Sequence, residues 1–343
     1  MQTQNMPHPD ELDLAIIHAL QTRPRAPWTL IGEVLGIDAV TAARRWDRLE
    51  RTGTAWVDGY LSPGHDDAVY AQVEIDMGGL PVESTLESLA RDSRVLSLKQ
   101  TTGNRDLLAI VGAADLDDLS RLVGRRIAPL PGIRTTRVHV ITAIPYEGDR
   151  WRLRSLSRAQ QAALAAPREE VPDEPLRPVD RELALALGHD GRMPVRELAA
   201  AAGTSTATVR RRLRVLTGNR RLALRCTLAR PLTGFPVSVV YFASVPARHL
   251  EDTVASLRTL PELRMCTVTT GRDNLILDLW QRDLADVHSM EAHLESRLAD
   301  HRLRITERAI VLRTVKHVGR VLDRSGRSIG LAPVNYWADR EEA

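Results

Sequence analysis

The residues best equipped for chemistry sit in one short run. "GTSTATVRRRLRVL", residues 203–216, places Ser205, Thr206, Ala207 and Thr208 ahead of Arg210, Arg211, Arg212 and Arg214. Guanidinium forks bond guanine edges, hydroxyls hold phosphate oxygens, and Ala or Thr methyls meet a thymine methyl. At helical spacing Val209, Leu213 and Leu216 share one face, which should pack inward. The opposite face carries Ala207, Arg211 and Arg214, flanked by Thr208 and Arg210. The competing reading is an ordinary solvated basic face. Charge placement decides against it: Leu198 to Leu232 holds eight arginines and no Asp or Glu. A one-sign field of this kind is the electrostatic footprint of a surface that faces nucleic acid. Arg211→Ala is therefore expected to lose discrimination between DNA sequences.

The run needs a scaffold, and the preceding residues supply one. "DRELALALG" and "PVRELAAAAG" read as two short helices, with Pro194 near the first turn of the second and Gly203 ending it. Ser205 is placed to cap the third. Three helices with a tight glycine turn before the third describe a helix-turn-helix. The same outline stands 167 positions earlier. Residues 13–50 align with 180–217 without a gap, and Asp13, Leu20, Arg25, Pro27, Gly36, Thr41, Arg44, Arg45 and Leu49 meet identical residues. In this first copy Ala42, Trp46 and Leu49 take the core positions, and Val40, Arg44 and Asp47 the exposed ones. Ala43 replaces Arg210, and Asp47 replaces Arg214. From Asp38 to Ser62 four arginines are balanced by Asp38, Asp47, Glu50 and Asp58. Thr41, Arg44 and Arg45 are its candidate contacts, with weaker or different binding expected.

Downstream the hydrophobic period changes to that of strands. "VSVVYFASV", "LEDTVASLRTL", "LRMCTVTTG", "LILDLWQ", "ADVHSMEAHLESRLA" and "ITERAIVLRTV" read in order as βαββαβ. The first half repeats it: "VYAQVEID", a helix near Val82–Ala90, "VLSLKQT", "LLAIV", a helix near Leu116–Ile127, and "TTRVHVITAI". Both copies share Thr-Thr-Gly ahead of an apolar strand. The chain thus reads as a tandem duplication of a two-domain unit. The fold class is α+β, with two winged or plain helix-turn-helix domains alternating with two ferredoxin-like βαββαβ domains. The expected bounds are 1–62, 66–147, 178–230 and 234–319, with a short helix and Pro-rich linker at 148–177 and a partly disordered tail at 320–343. In the linker, Ser157 with Gln160 resembles a capping box, and Pro167, Pro172, Pro175 and Pro178 suggest extended chain.

A helix-turn-helix followed by βαββαβ with a T-G-x-x-D turn resembles the Lrp/AsnC family of transcriptional regulators. The motifs "GRMPVRELAAAAGTSTATVRRRLRVL", "TTGNRDLLAIV" and "TTGRDNLILDL" carry the likeness across most of the chain. It implies double-stranded DNA as partner and a small-molecule effector, such as an amino acid, near the TG turns. The matching positions are Thr102, Gly103 and Asp106, and Thr270, Gly271, Asp273 and Asn274. In the second turn Asn274 takes the Asp place and Asp273 lies one earlier, which displaces the carboxylate. A turn glycine also has a purely conformational use. Two units in one chain imply an internal pseudo-dimer, and family habit implies further homo-oligomers.

Bulk properties set the bounds. The 343 residues are 43% hydrophobic but only 4% aromatic, so the cores rest on aliphatic side chains. Net charge is +3, and only Lys99 and Lys316 of 47 basic residues are lysine. Arginine abundance is therefore coding bias, and only its placement is informative. No apolar run reaches the roughly 20 residues that span a bilayer, and the N-terminus lacks a signal-peptide pattern, so a cytoplasmic protein is expected. Cys226 and Cys266 sit in no metal-ligand spacing and should be reduced and structural. No cofactor or metal is expected. The alternative is an enzyme, because siroheme decarboxylases are similar to this family in fold and some are fused pairs. Yet the ten histidines are scattered, His139 and His317 read as surface positions on strands, and no paired carboxylates, nucleophile elbow or phosphate loop is visible. A third reading is a ligand sensor that has lost DNA binding.

Overall fold

The computed structural model describes residues 8–63, 68–79, 82–148, 151–165 and 170–337. Pro167, the first two residues of the expected 66–147 domain and the last six of the tail lie outside them.

The first head is three helices: α1 (Glu11–Thr22), α2 (Trp28–Leu35) and α3 (Ala39–Arg51). Asp10 and Asp13 form a capping box at the start of α1, and Asp38 caps α3. Ala42, Trp46 and Leu49 are buried, and Val40 is 73% exposed, as the helical phase requires. Strand β1 (Ala55–Leu61) follows directly. Next comes the first βαββαβ unit: β2 (Val69–Asp76), α4 (Glu83–Arg91), β3 (Val95–Thr101), β4 (Leu107–Ala113), α5 (Leu116–Arg121) and β5 (Thr135–Tyr146). A π-helical turn, Leu122–Ile127, prolongs α5. Ser157 and Gln160 form the expected capping box of α6 (Arg158–Leu164).

The second half repeats the plan with α7 (Pro178–His189), α8 (Val195–Ala201), α9 (Thr206–Gly218) and β6 (Leu222–Leu228). Then follow β7 (Val237–Ser244), α10 (Leu250–Leu257), β8 (Leu263–Thr269), β9 (Leu275–Gln281), α11 (Asp286–Arg297) and β10 (Arg304–His317). The tail adds β11 (Arg320–Leu322) and β12 (Ser328–Leu331). Its described part, residues 320–337, packs on the rest of the chain, with Tyr336 and Trp337 buried against the second head and Tyr70.

The two βαββαβ units do not form separate sheets. Strand β5 of the first pairs with β8 of the second, and β10 of the second pairs with β3 of the first. With β10 also on β7, eight antiparallel strands close into a ring ordered β10-β3-β4-β2-β5-β8-β9-β7. Closure removes the edges that an isolated sheet would leave unpaired. Alternation sorts the side chains. Ala71, Val73, Ile75 and Ala109 face outward under helices, and Val239, Tyr241 and Leu277 do so in the other half. Leu108, Val240, Phe242, Ile276, Ala309 and Val311 meet inside. Inside too, Lys99 of β3 bonds Asp278 of β9, an ion pair between the units.

The two heads are also joined. β1 pairs with β6 along its whole length, with Asp58 opposite Arg225. One face of this ribbon, including Val57 and Cys226, belongs to the core of the first head, while Leu61 and Leu222 extend the core of the second. Arg25 donates to the carbonyls of Gly191 and Met193, and Arg192 donates to those of Pro24 and Ala26. These residues match at the repeat offset, so the contacts are reciprocal and fix one head against the other.

Within each head an Asp–Arg pair clamps the first helix to the third. Asp180 accepts from Arg212 Nε at 2.8 Å and Nη2 at 2.6 Å, with both side chains fully buried. Arg45 and Asp13 form the equivalent pair at 2.9 Å, but Arg45 keeps 28% exposure. Removing one partner of a buried pair strands the other charge and costs about 3–5 kcal/mol. Arg212→Ala should lose stability of that order in urea unfolding, and Arg45→Ala distinctly less. Equal losses would show that burial does not set the difference.

Candidate nucleic-acid interface and inter-unit turns

Helix α9 begins as read: Ser205 Oγ accepts from the Thr208 amide at 3.1 Å and lies 3.0 Å from the Thr208 hydroxyl. Its outer face presents Ala207, Arg210 and Arg214 to solvent, with Thr206, Thr208 and Arg211 half-buried. The inner face is not wholly apolar. Val209, Arg212, Val215 and Leu216 are buried, while Leu213 is half-buried.

This corrects two proposed DNA contacts. Arg212 is fully buried on Asp180 and also donates to Glu174 at 2.5 Å. Arg45 bonds Asp10 at 2.6 Å and Asp13. Both are clamps within their heads. Arg211 is partly engaged too, reaching Glu174 at 3.2 Å. The eight-arginine field therefore divides. Acids from upstream take Arg211, Arg212 and Arg221, the last through Asp173 at 2.7 Å. Arg225 and Arg230 line an internal cavity. Arg210, Arg214 and Arg220 stay on the surface. The acids sit on the segment before α7, which runs against α9: Asn219 donates to the Pro172 carbonyl, and Val171 packs on Gly218. The expected linker is thus a strap along α9. In the first head Arg44 is exposed and Thr41 half-buried, beside an exposed Asp47 ion-paired to Arg51 at 2.9 Å.

The two TG turns lie where the units meet. Thr102 exchanges bonds with Ile310, its amide donating to the carbonyl and its hydroxyl accepting from the amide. Thr270 does the same with Val140 of the first unit. Gly103 (φ +96) and Gly271 (φ +107) adopt a conformation that L side chains disfavour. A Cβ at Gly103 would lie 2.8 Å from Glu307, and one at Gly271 3.2 Å from His139. Asp106 caps the Met77 amide at 2.7 Å, and Asn274 caps that of Val245 at 2.9 Å. Asn therefore does the Asp work at this position, which is a pin on the neighbouring strand end. Asp273 instead accepts from Thr306 at 2.7 Å. The turns are hinge points of the ring closure, and their polar groups bond within the chain.

A charge network fills this junction on one side. Glu74 lies 3.0 Å from Arg105, Arg137 and His139, and Arg105 reaches on to Glu307 at 2.6 Å. Position 242, equivalent to Glu74, is Phe, and the Arg105 guanidinium stacks 4.0 Å above its ring. Burial pushes the Glu74 carboxyl up, but hydrogen bonds from His139 and Arg105 and their charges prevail, bringing it to about 2. The hydrogen bond to Glu74 in turn raises His139 above its usual value. Neither His139 nor His317 is the surface residue that strand position suggested. The second lines the cavity and accepts from Arg225 Nη2 at 2.5 Å. Both cysteines are buried and unpaired, and burial pushes the Cys266 thiol up to about 12. No described helix is long and apolar enough to cross a membrane.

Comparison with known proteins agrees with this arrangement. The AsnC-type helix-turn-helix domain matches residues 10–50 and 178–217, and the Lrp/AsnC ligand-binding domain matches 69–151. The chain belongs to the Lrp/AsnC family. An HTH-type transcriptional regulator of Pyrococcus abyssi is 29% identical over 139 residues, covering 39% of this chain and 87% of its own. The leucine-responsive regulatory protein of Salmonella typhimurium is 25% identical over 139 residues, covering 38% and 84%. These relatives therefore match one unit of the tandem pair. Among solved structures, the siroheme decarboxylase NirDL spans 97% of this chain and 99% of its own, at 12% identity and a TM-score of 0.57. That likeness is one of fold, over nearly the whole of both chains.

Histidine raised by a carboxylate stabilises the folded state below its unfolded pKa of about 6.5, and the gain is lost as pH rises through the folded value. Glu74, being lowered, contributes above about 4.3 and loses its share as pH falls toward 2. His139→Gln should therefore cost about 1 kcal/mol more near pH 5.5 than near pH 8.5 by urea unfolding. A pH-independent cost would mean that His139 acts through packing alone.

Proposed function

We propose that this regulator binds DNA sequence-specifically through two unequal heads, with α9 the principal reading element and α3 the weaker one. The observation that carries this is the solvent-facing surface of α9. Ala207, Arg210 and Arg214 face solvent together, with Thr208 beside them. A major groove admits such a helix, and Arg supplies base and phosphate contacts. The β1–β6 ribbon and the Arg25 and Arg192 crossings hold the heads at one spacing, so α3 falls on a neighbouring stretch of the same duplex. There Arg44 supports contact and Asp47 opposes it. The target is then non-palindromic.

A small effector adjusts this binding. The matched ligand-binding domain supports that reading, and so does the ring junction, where a ligand would bear on both units at once. A second reading, tetrapyrrole chemistry, draws on the whole-chain fold likeness to NirDL. The cavity beneath the ribbon, about 140 Å³, argues against it. A dry cavity of about 150 Å³ accommodates one benzene ring, far less than a four-ring macrocycle.

Each phosphate contact adds about −0.9 to the slope of log binding constant against log salt. With genomic fragments selected by the wild-type protein, Arg210→Ala/Arg214→Ala should remove specific binding and flatten that slope by up to about 2. Arg211→Ala, whose side chain also holds Glu174, should do less. Specific binding that survives the double substitution would place the reading surface elsewhere.

A further inference from the structure

Beneath the β1–β6 ribbon the ring of strands opens into the cavity of about 140 Å³. Trp56 and Arg225 on the ribbon, Arg264 on β8, Trp280 on β9 and His317 on β10 line it, with Arg230 just beyond β6. Six Lys or Arg side chains face three Asp or Glu in its lining. One of the acids, Asp278, is already bonded by Lys99 and Ser238.

Arg313 pairs with Glu83 at 3.4 Å, and the cations left poorly compensated are Arg264 and Arg230. Arg264 is 6% exposed, and its guanidinium lies 4.0 Å from the Trp280 ring and 4.6 Å from that of Trp151. Among the described residues no carboxylate pairs with it, and its Nε and Nη1 lack hydrogen-bond partners. Arg230 Nη1 lacks one as well. Burial draws the Arg264 pKa down to about 9, which leaves it charged at neutral pH. Burial, and then the charges of Arg225, Lys99 and Arg264, hold His317 well below its usual pKa and therefore neutral. A buried guanidinium without a carboxylate partner is costly, and an anion in the cavity beside it relieves that cost.

The geometry points to a binding site for a small aromatic carboxylate that carries no amino group, the class of an aromatic 2-oxo acid. Its carboxylate lies on Arg264 and Arg230, and its ring lies against the indoles of the wall. An α-ammonium would enter a surplus of positive charge, so the site discriminates against the corresponding amino acid. The site is distinct from the TG turns, which lie at the β5–β8 and β3–β10 junctions. The far face of the ribbon belongs to the cores of both heads. A ligand under it is therefore placed to alter their spacing, a consequence that rests on the regulator reading above.

Titration calorimetry on the full chain, without DNA, tests the site. Phenylpyruvate should bind, and L-phenylalanine should bind at least about tenfold more weakly, a 1.4 kcal/mol difference. Arg264→Met should weaken phenylpyruvate binding about tenfold or more while the protein still melts cooperatively. If that variant does not fold, Arg230→Met gives the same reading. No binding of phenylpyruvate by the wild type, equal binding of phenylalanine, or undiminished binding by the folded variant would overturn the proposal. So would binding of iron-uroporphyrin III in place of the small acid. Because no DNA is present, this outcome stands apart from that of the DNA-binding test.

Discussion

An unpaired sheet edge is the constraint on which the molecule depends. A βαββαβ unit leaves the backbone of its outer strands without partners, and each half of this chain solves the problem with the other half. β5 crosses to β8 and β10 crosses to β3. The TG turns stand at these crossings because closing the ring requires a backbone conformation and an approach that a side chain would obstruct. Thr102 and Thr270 then bond the opposite unit's last strand. A dimer is thereby built into one chain, and its two halves are free to diverge because neither must pair with a copy of itself.

The ribbon extends the same logic to the heads. β1 and β6 each complete a helix-turn-helix core on one face and cover the mouth of the ring on the other, so all seven residues of β1 are buried. Movement of the ribbon would be felt by both heads together. The reciprocal arginines, Arg25 and Arg192, add a second tie at the turn before α2 and at its equivalent in the other half. Reading a non-palindromic site with unequal heads requires this kind of fixed relation.

The strands and helices were legible because alternation and helical phase report which face is apolar, and here each face has a uniform environment. The gap-free offset between the copies made the third helices legible for the same reason. Long-range polar pairing was not. Arg212 looks like its neighbours in a local window, since the acids that bury it, Asp180 and Glu174, lie 32 and 38 residues upstream. The copies themselves carry a usable signal. Asp13 and Arg45 recur as Asp180 and Arg212, whereas the half-buried Ala43 and the exposed Asp47 become Arg210 and Arg214. The clamp repeats, while these two positions beside it diverge. The β1–β6 pairing was hidden because β1 is buried on both faces and shows no alternation. In the described part of the tail two aromatic residues, Tyr336 and Trp337, anchor an otherwise polar segment, a contact that local pattern does not report.

The central claim is that one chain reads DNA with two fixed and unequal heads. Hydroxyl-radical footprinting of the wild-type protein on a selected genomic fragment tests it most directly. The account predicts an asymmetric footprint, with strong protection over one major-groove segment and weaker protection over its neighbour, and only the strong segment lost in Arg210→Ala/Arg214→Ala. A symmetric footprint of two equal halves would contradict it, because equal halves require the same head, taken from two copies, on each.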